Sequence, residues 1–207
     1  MVITAGPTRE ALDPVRYISN HSSGKMGYAL ARAAAEAGAH TTVVSGPVAL
    51  TVPDKVRHLP VESANEMLDQ SLALLKECDI FIACAAVADY RPATMEQQKI
   101  KKGPEQVTLQ LVRNPDIVTA VAESENRPFT VGFAAETNEV LSYARDKMQR
   151  KGLDMIVAND VSDPSIGFNS EHNAATVLWS GGEQALPRAS KDSIARHIIE
   201  LIAKIQR

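Results

Sequence analysis

A chain of 207 residues, 44% apolar and 23% charged, can bury a core of its own, and one domain spanning residues 1–207 is the expectation. A net charge of −3 gives no reason to expect a nucleic-acid partner, no apolar run approaches membrane-spanning length, and no signal peptide is visible. The two cysteines, Cys78 and Cys84, form no metal or redox motif, which suits a reducing cytoplasm.

The first β run is Met1 to Thr4. It starts without a lead-in, so a domain cut from a longer chain is expected. A polar loop from Ala5 to His21 follows, and a helix opens at Ser22 or Ser23 and runs to Ala37. The stretch Arg16 to Gly27 (RYISNHSSGKMG) suits an anion in three ways: the serine hydroxyls donate, the helix start leaves free N–H groups, and Lys25 adds a charge. The competing reading is a serine N-cap with an incidental lysine.

Thr41 to Ser45 is a second β run, closed by Gly46-Pro47, and a short strand is allowed at Val56 to Val61. Ser63 with Glu66 three residues later predicts a capped helix whose apolar face includes Met67, Leu68, Leu72, Leu74 and Leu75. Asp79 to Ala86 is nearly continuous in apolar residues, as a strand covered on both faces would be. This alternation predicts an α/β fold, a Rossmann-like doubly wound and mostly parallel sheet.

Val87 to Gln98 is mostly polar. Lys99 to Lys102 (KIKK), Gly103-Pro104 and Val107 to Arg113 then predict a β-hairpin flap with Lys99 and Lys101 on one face. Asn114 as N-cap and Pro115 as first helical residue predict a short helix to about Ala122. Phe129 to Ala135 is a buried strand, Thr137 or Asn138 begins a helix through Lys151, and Leu153 to Ala158 is the next strand. After a polar loop to Asn173, Ala175 to Trp179 and Gln184 to Pro187 predict a hairpin, and Lys191 to Ile205 an amphipathic helix.

Ligands of an open parallel sheet bind beyond the carboxyl ends of its strands. The dinucleotide fingerprint is absent there, because Gly6 is followed by Pro7-Thr8-Arg9. A Walker A loop fails too, with Ser19 at the leading glycine and Met26 after Lys25. Lys99 and Lys101 fit a solvated edge strand or an arm over a polyphosphate, and Lys147 and Lys151 share one helical face. Asp89 fits a magnesium or hydroxyl ligand as well as a turn. The histidines suggest no triad or metal site, so the chemistry expected is electrostatic and positional.

Taken in order, several motifs resemble one family. They are ITAGPTRE (Ile3 to Glu10), DPVRYISNHSSGKMG (Asp13 to Gly27), AAVADY (Ala85 to Tyr90), KIKK, NPDIV (Asn114 to Val118), GFAAET (Gly132 to Thr137) and ANDV (Ala158 to Val161). The chain resembles bacterial phosphopantothenate–cysteine ligases over essentially its whole length. These are usually the C-terminal half of a bifunctional coenzyme A biosynthesis protein whose other half is a flavin-dependent decarboxylase.

The resemblance implies a CTP-dependent amide ligation needing Mg²⁺, in which 4′-phosphopantothenate becomes an acyl-cytidylate and L-cysteine displaces CMP. It assigns Asn20 to the conversion of that intermediate and Lys99 to the triphosphate side. Nucleotide contacts carry over to Ala83, Cys84, Ala85, Asp89, Asn114, Pro115, Asp116, Ile117, Val118, Phe133, Lys147 and Lys151. Ser22, Ser23 and Gly24 join them from the helix-start argument, with Arg16 and Ala86 toward 4′-phosphopantothenate. The metal's ligands are left open. A homodimer is implied, and FMN only on a fused decarboxylase domain. The rivals are an NAD(P)-dependent reductase, for which Tyr143 and Lys147 match a Tyr-x-x-x-Lys pair, and a nucleotide-sensing domain.

Overall fold

A computed structural model describes residues 1–103, 105–136, 140–160 and 170–206, with the side chains of 135, 136 and 160 outside that description. Strand β1 (Val2–Ala5) is buried along its whole length. Val2 packs into the core on one face and Ile3 into the core on the other, which is why such strands read as unbroken apolar runs.

The main sheet also contains β4 (Thr41–Ser45), β5 (Val56–Pro60), β6 (Ile80–Ala83), β9 (Phe129–Glu136) and β10 (Met155–Asp160). The hairpin β11 (His172–Trp179) and β12 (Gly182–Ser190) completes it, in the order β12-β11-β10-β9-β6-β1-β4-β5. The six strands from β10 to β5 are parallel, and β11 and β12 add antiparallel strands at one edge. The order reverses between β1 and β6, so a crevice opens beyond their carboxyl ends.

Helices α1 (Lys25–Glu36) and α5 (Lys191–Ile205) cover one face of the sheet. Leu30, Ala31 and Ala34 of α1 and Ile194, Ile198 and Ile202 of α5 are fully or almost fully buried there. Helices α2 (Ala64–Ala73), α3 (Ile117–Ala122) and α4 (Val140–Arg150) lie on the opposite face. The expected start of α4 at Thr137 or Asn138 lies outside the described residues.

Two caps differ from the sequence reading. Helix α1 opens at Lys25 and its cap is Gly24, in the left-handed region (φ 77°), not Ser22 or Ser23. Glycine adopts that conformation without the strain a side chain would bring. One turn on, a Cβ at Gly27 would stand 2.5 Å from Ala5 Cβ, so the helix start rests directly on β1. Helix α3 is capped by Asp116, which accepts from the Thr119 amide at 3.2 Å. Asn114 turns away to donate to Ala88 O (2.8 Å), so it does not cap α3. Ser63 caps α2 as expected.

The flap also departs in detail. Its paired strands are β7 (Tyr90–Pro92) and β8 (Leu111–Arg113), while Lys99 to Lys102 form no strand. Backbone groups of Ile100 are captured elsewhere: its amide donates to Asp13 Oδ2 (3.0 Å) and its carbonyl accepts from Arg16 (2.8 Å). Those side chains replace the ladder partner that a strand would need. The long loop after β1 holds a short pair, β2 (Glu10–Ala11) with β3 (Tyr17–Ile18), that periodicity did not reveal.

Candidate functional site

The loops leaving β1 and β6 are stitched together. The Ala86 amide donates to Gly6 O at 2.9 Å, and Ala86 O accepts from the Thr8 amide at 3.2 Å and from Asn20 Nδ2. Thr4 Oγ1 accepts from the Ala85 amide (3.2 Å) and Thr8 Oγ1 from the Ala88 amide (3.0 Å). These threonines are buried, so backbone amides fix their hydroxyls and their hydroxyls fix the turn.

Two clefts flank this seam. The smaller, about 250 Å³, is walled by Ser22 to Gly27 at the start of α1, by Cys84 to Val87, and by Phe133, Ala134, Lys147, Asn159, Asn173 and Lys191. The larger, about 680 Å³, runs from Ala83 and Ala85 past Asp89 and Asn114 to Val118, and is closed by Gly132, Phe133, Lys147 and Lys151. Ala85, Val87, Phe133 and Lys147 belong to both walls, so the clefts are neighbours.

The electrostatics of the two differ. In the larger cleft Lys151 bonds Asp116 at 2.8 Å; burial alone would raise the Asp116 pKa, but Lys151 and Thr119 outweigh it and hold the carboxyl below its ordinary value. Lys147 donates to Phe133 O (2.8 Å), which aims its ammonium along the shared wall. In the smaller cavity three lysines and no carboxylate line the wall among the described residues. Burial first, and Lys25 second, lower the pKa of Lys191. Burial pushes the Cys84 thiol up to about 12, so it is protonated at neutral pH and is no nucleophile.

Apart from Lys99, the residues expected to contact the nucleotide line one cleft or the other: Cys84 and Ser22 to Gly24 the smaller, and Ala83, Asp89, Asn114 to Val118 and Lys151 the larger. Ala86 lines the smaller cavity. Arg16, Asn20 and Lys99 line neither. Asn20 uses both ends of its amide internally, donating to Ala86 O and accepting from the Ser22 amide at 3.1 Å. It therefore braces two cavity walls against each other. Arg16 Nε bonds the buried Asp13 carboxylate at 3.0 Å, and that guanidinium holds the Asp13 carboxyl far below the usual carboxylate range against the opposing effect of burial. Lys99 is exposed, in a groove with Leu12, Ile100 and Leu109.

Tyr143 is exposed and lines neither cleft, so only the lysine of the Tyr-x-x-x-Lys match belongs to the cleft walls. Asn173 and Lys191 are cavity residues that sequence reasoning missed, whereas Asn159 belongs to the ANDV motif at a strand end. One signal was available. Lys25 and Lys191 are each the first residue of a helix, where a base opposes the helix dipole.

Residues 1–205 match the family described as DNA/pantothenate metabolism flavoprotein C-terminal domain. The chain is 58% identical over 205 residues to the coenzyme A biosynthesis bifunctional protein CoaBC of Vibrio vulnificus, covering 98% of this chain and 51% of that protein. It is 53% identical over 206 residues to CoaBC of Escherichia coli K12, again covering 98% and 51%. The chain thus spans about half the length of the curated relatives it matches. Among solved structures, the C-terminal domain of a CoaBC superposes with a TM-score of 0.85 at 39% identity, over 99% of this chain and 94% of that one.

Proposed function

From the DNA/pantothenate metabolism flavoprotein C-terminal domain family, to which this chain belongs, we propose that it acts as a single phosphopantothenate–cysteine ligase domain in coenzyme A biosynthesis. The observation that carries this reading is the pair of adjoining clefts at the switch point, one able to take a nucleoside and the other lined by lysines and a helix start.

In the proposed reaction a carboxylate oxygen of 4′-phosphopantothenate attacks the α-phosphorus of CTP and pyrophosphate leaves. The amine of L-cysteine then attacks the acyl carbon, CMP departs, and the amine loses a proton as the amide forms. No step needs a protein nucleophile, which agrees with a protonated Cys84. The chain's part is to align the reactants and neutralise phosphate charge. Ser22, Ser23, Gly24 and Lys147 suit the phosphates, and Asp89 with the Asn114–Val118 turn and Lys151 suits the nucleoside side. Asn20 contributes by holding Ala86 and Ser22 in register.

Mg²⁺ would neutralise phosphate charge when bound. Among the described residues no group of three His, Cys, Asp or Glu could hold a metal, and the larger cleft offers only the carboxylates Asp89 and Asp116. That donor set fits a cation carried mainly by the nucleotide's own phosphates.

A homodimer belongs to the same proposal. Val15, Tyr17, Met95, Val107, Leu109 and Leu111 are exposed on the β2–β3 pair and on the arm, that is, the flap of β7, β8 and the stretch between them, an apolar surface that a second copy would cover. FMN belongs with a fused decarboxylase domain and not with this chain. Work in the cytoplasm fits the two free thiols, and no described helix is long and apolar enough to cross a membrane. The test is pyrophosphate release with CTP, 4′-phosphopantothenate and Mg²⁺, with ATP as comparison and with cysteine omitted. A single turnover of CTP-dependent release without cysteine is expected; no release with CTP sinks the reading.

A further inference from the structure

Strand β11 pairs with β12 through a slip in register. Asn173 faces Ala189 and Ala175 faces Leu186, so Ala174 alone stands opposite Pro187 and Arg188. Proline cannot donate to a ladder, and bulges of this kind re-aim the side chains beside them. The Ala174 amide donates to Asn173 Oδ1 at 3.0 Å. A backbone N–H can only donate, so it settles which way the Asn173 side chain is turned, with oxygen toward Ala174 and nitrogen away. Asn173 is 3% exposed, and its Nδ2 meets two acceptors, Asn159 Oδ1 at 3.2 Å and Met26 Sδ at 3.9 Å.

The orientation passes on. With its Oδ1 committed to Asn173, Asn159 turns its own Nδ2 away. Among the described residues no acceptor meets that group. Every buried side-chain nitrogen among those residues does have a partner, so Asn159 Nδ2 is open to the smaller cavity that Asn159 lines. The rest of that wall carries hydroxyl and ammonium groups and, among the described residues, no carboxylate. A ligand group made of acceptor oxygens is its complement.

We propose that Asn173 is a positioning residue that fixes the turn of the Asn159 amide, so that Asn159 Nδ2 is presented to the smaller cavity as a neutral, directional donor for a phosphate oxygen. This rests on the ligase reading above, whose reactants supply two such groups, the polyphosphate of CTP and the phosphate ester of 4′-phosphopantothenate. A fixed amide does what an ammonium does not. Lysine is a compact charge on a flexible stem and attracts a phosphate from many directions, whereas one aimed N–H favours a single placement of it. The reacting groups are aligned by such placement.

The experiment is calorimetric titration of the full chain with inorganic pyrophosphate and, separately, with 4′-phosphopantothenate. Wild type, Asn159→Ala, Asn173→Ala and the double variant are compared, with thermal melting as the check on folding. Losing one donor to a charged oxygen should weaken binding of at least one ligand by about tenfold in Asn159→Ala, and the ligand affected identifies whose phosphate enters the cavity. Asn173→Ala leaves the Asn159 amide free to turn and should weaken the same ligand by about threefold or more. In the double variant the losses should not add. Its affinity should lie within about twofold of Asn159→Ala, because no Asn159 amide is left to orient. Unchanged affinity for both ligands in Asn159→Ala overturns the proposal, and so do additive losses, which would make Asn173 a structural residue only. If Asn173→Ala does not fold, side-chain amide NMR spectra of wild type decide. The Asn159 resonances should shift when the ligand weakened in Asn159→Ala is added, and no shift overturns the proposal. Pyrophosphate release from CTP is assayed on wild type in parallel. No release with the expected binding losses fails the ligase reading and keeps the Asn173–Asn159 relay, whereas release with unchanged binding in Asn159→Ala fails the relay alone.

Discussion

Asn20 holds two walls of one cavity with a single amide group, and only its acceptor contact, from the Ser22 amide, survives conversion to a carboxylate. In Asn20→Asp the donor to Ala86 O is replaced by an acceptor, and a negative charge enters beside the phosphate-binding serines. Acyl-cytidylate should still form, because Asn20 itself lines neither cleft, while its onward reaction with cysteine slows. Single-turnover product formation equal to wild type would show the assignment to be wrong. Asp13 gives a second prediction of this kind. Its folded pKa is depressed by Arg16 below an unfolded value of about 3.9. The stabilisation is therefore present above that value and is lost as pH falls toward the folded pKa. Asp13→Asn should lower the urea midpoint at pH 7, and the gap from wild type should narrow below about pH 4. A gap independent of pH would contradict the ion-pair account.

Among the elements, strands buried on both faces and the capped helix α2 were legible because local pattern and tertiary role coincide. The arm was not. Lys99 to Lys102 alternates like a strand, but Asp13 and Arg16, more than eighty residues away, take the backbone groups of Ile100. No local rule anticipates such a partner. The same limit applies to the site. Residues in motifs at strand ends, Asn159 among them, lie where their order implies, whereas Asn173 and Lys191 join them only when β11 and α5 pack. Lys99 itself is on the arm, outside both clefts, so its expected work on the triphosphate needs the arm to swing inward. Lys99→Gln should lower kcat/KM for CTP by the equivalent of ~2–4 kcal/mol, the scale of one preorganised charge contact. An unchanged kcat/KM would remove Lys99 from the reaction.

For the whole molecule, the apolar residues of the arm and of the β2–β3 pair are the features a solitary chain leaves unexplained. Leu109→Glu places a charge amid that surface and should shift a dimer to monomer in analytical ultracentrifugation, with a folded thermal transition retained. Sedimentation identical to wild type would move the interface elsewhere.

The stitched seam at Ala86 also sets a clock. Its amide and its carbonyl are both engaged with the loop leaving β1, so exchange of the Ala86 amide hydrogen requires the two halves of the sheet to part. The Lys99, Lys101 and Lys102 amides, in an exposed stretch without regular structure, should exchange orders of magnitude sooner. The floor between the two clefts therefore keeps its shape through the motions that free the amides of the arm.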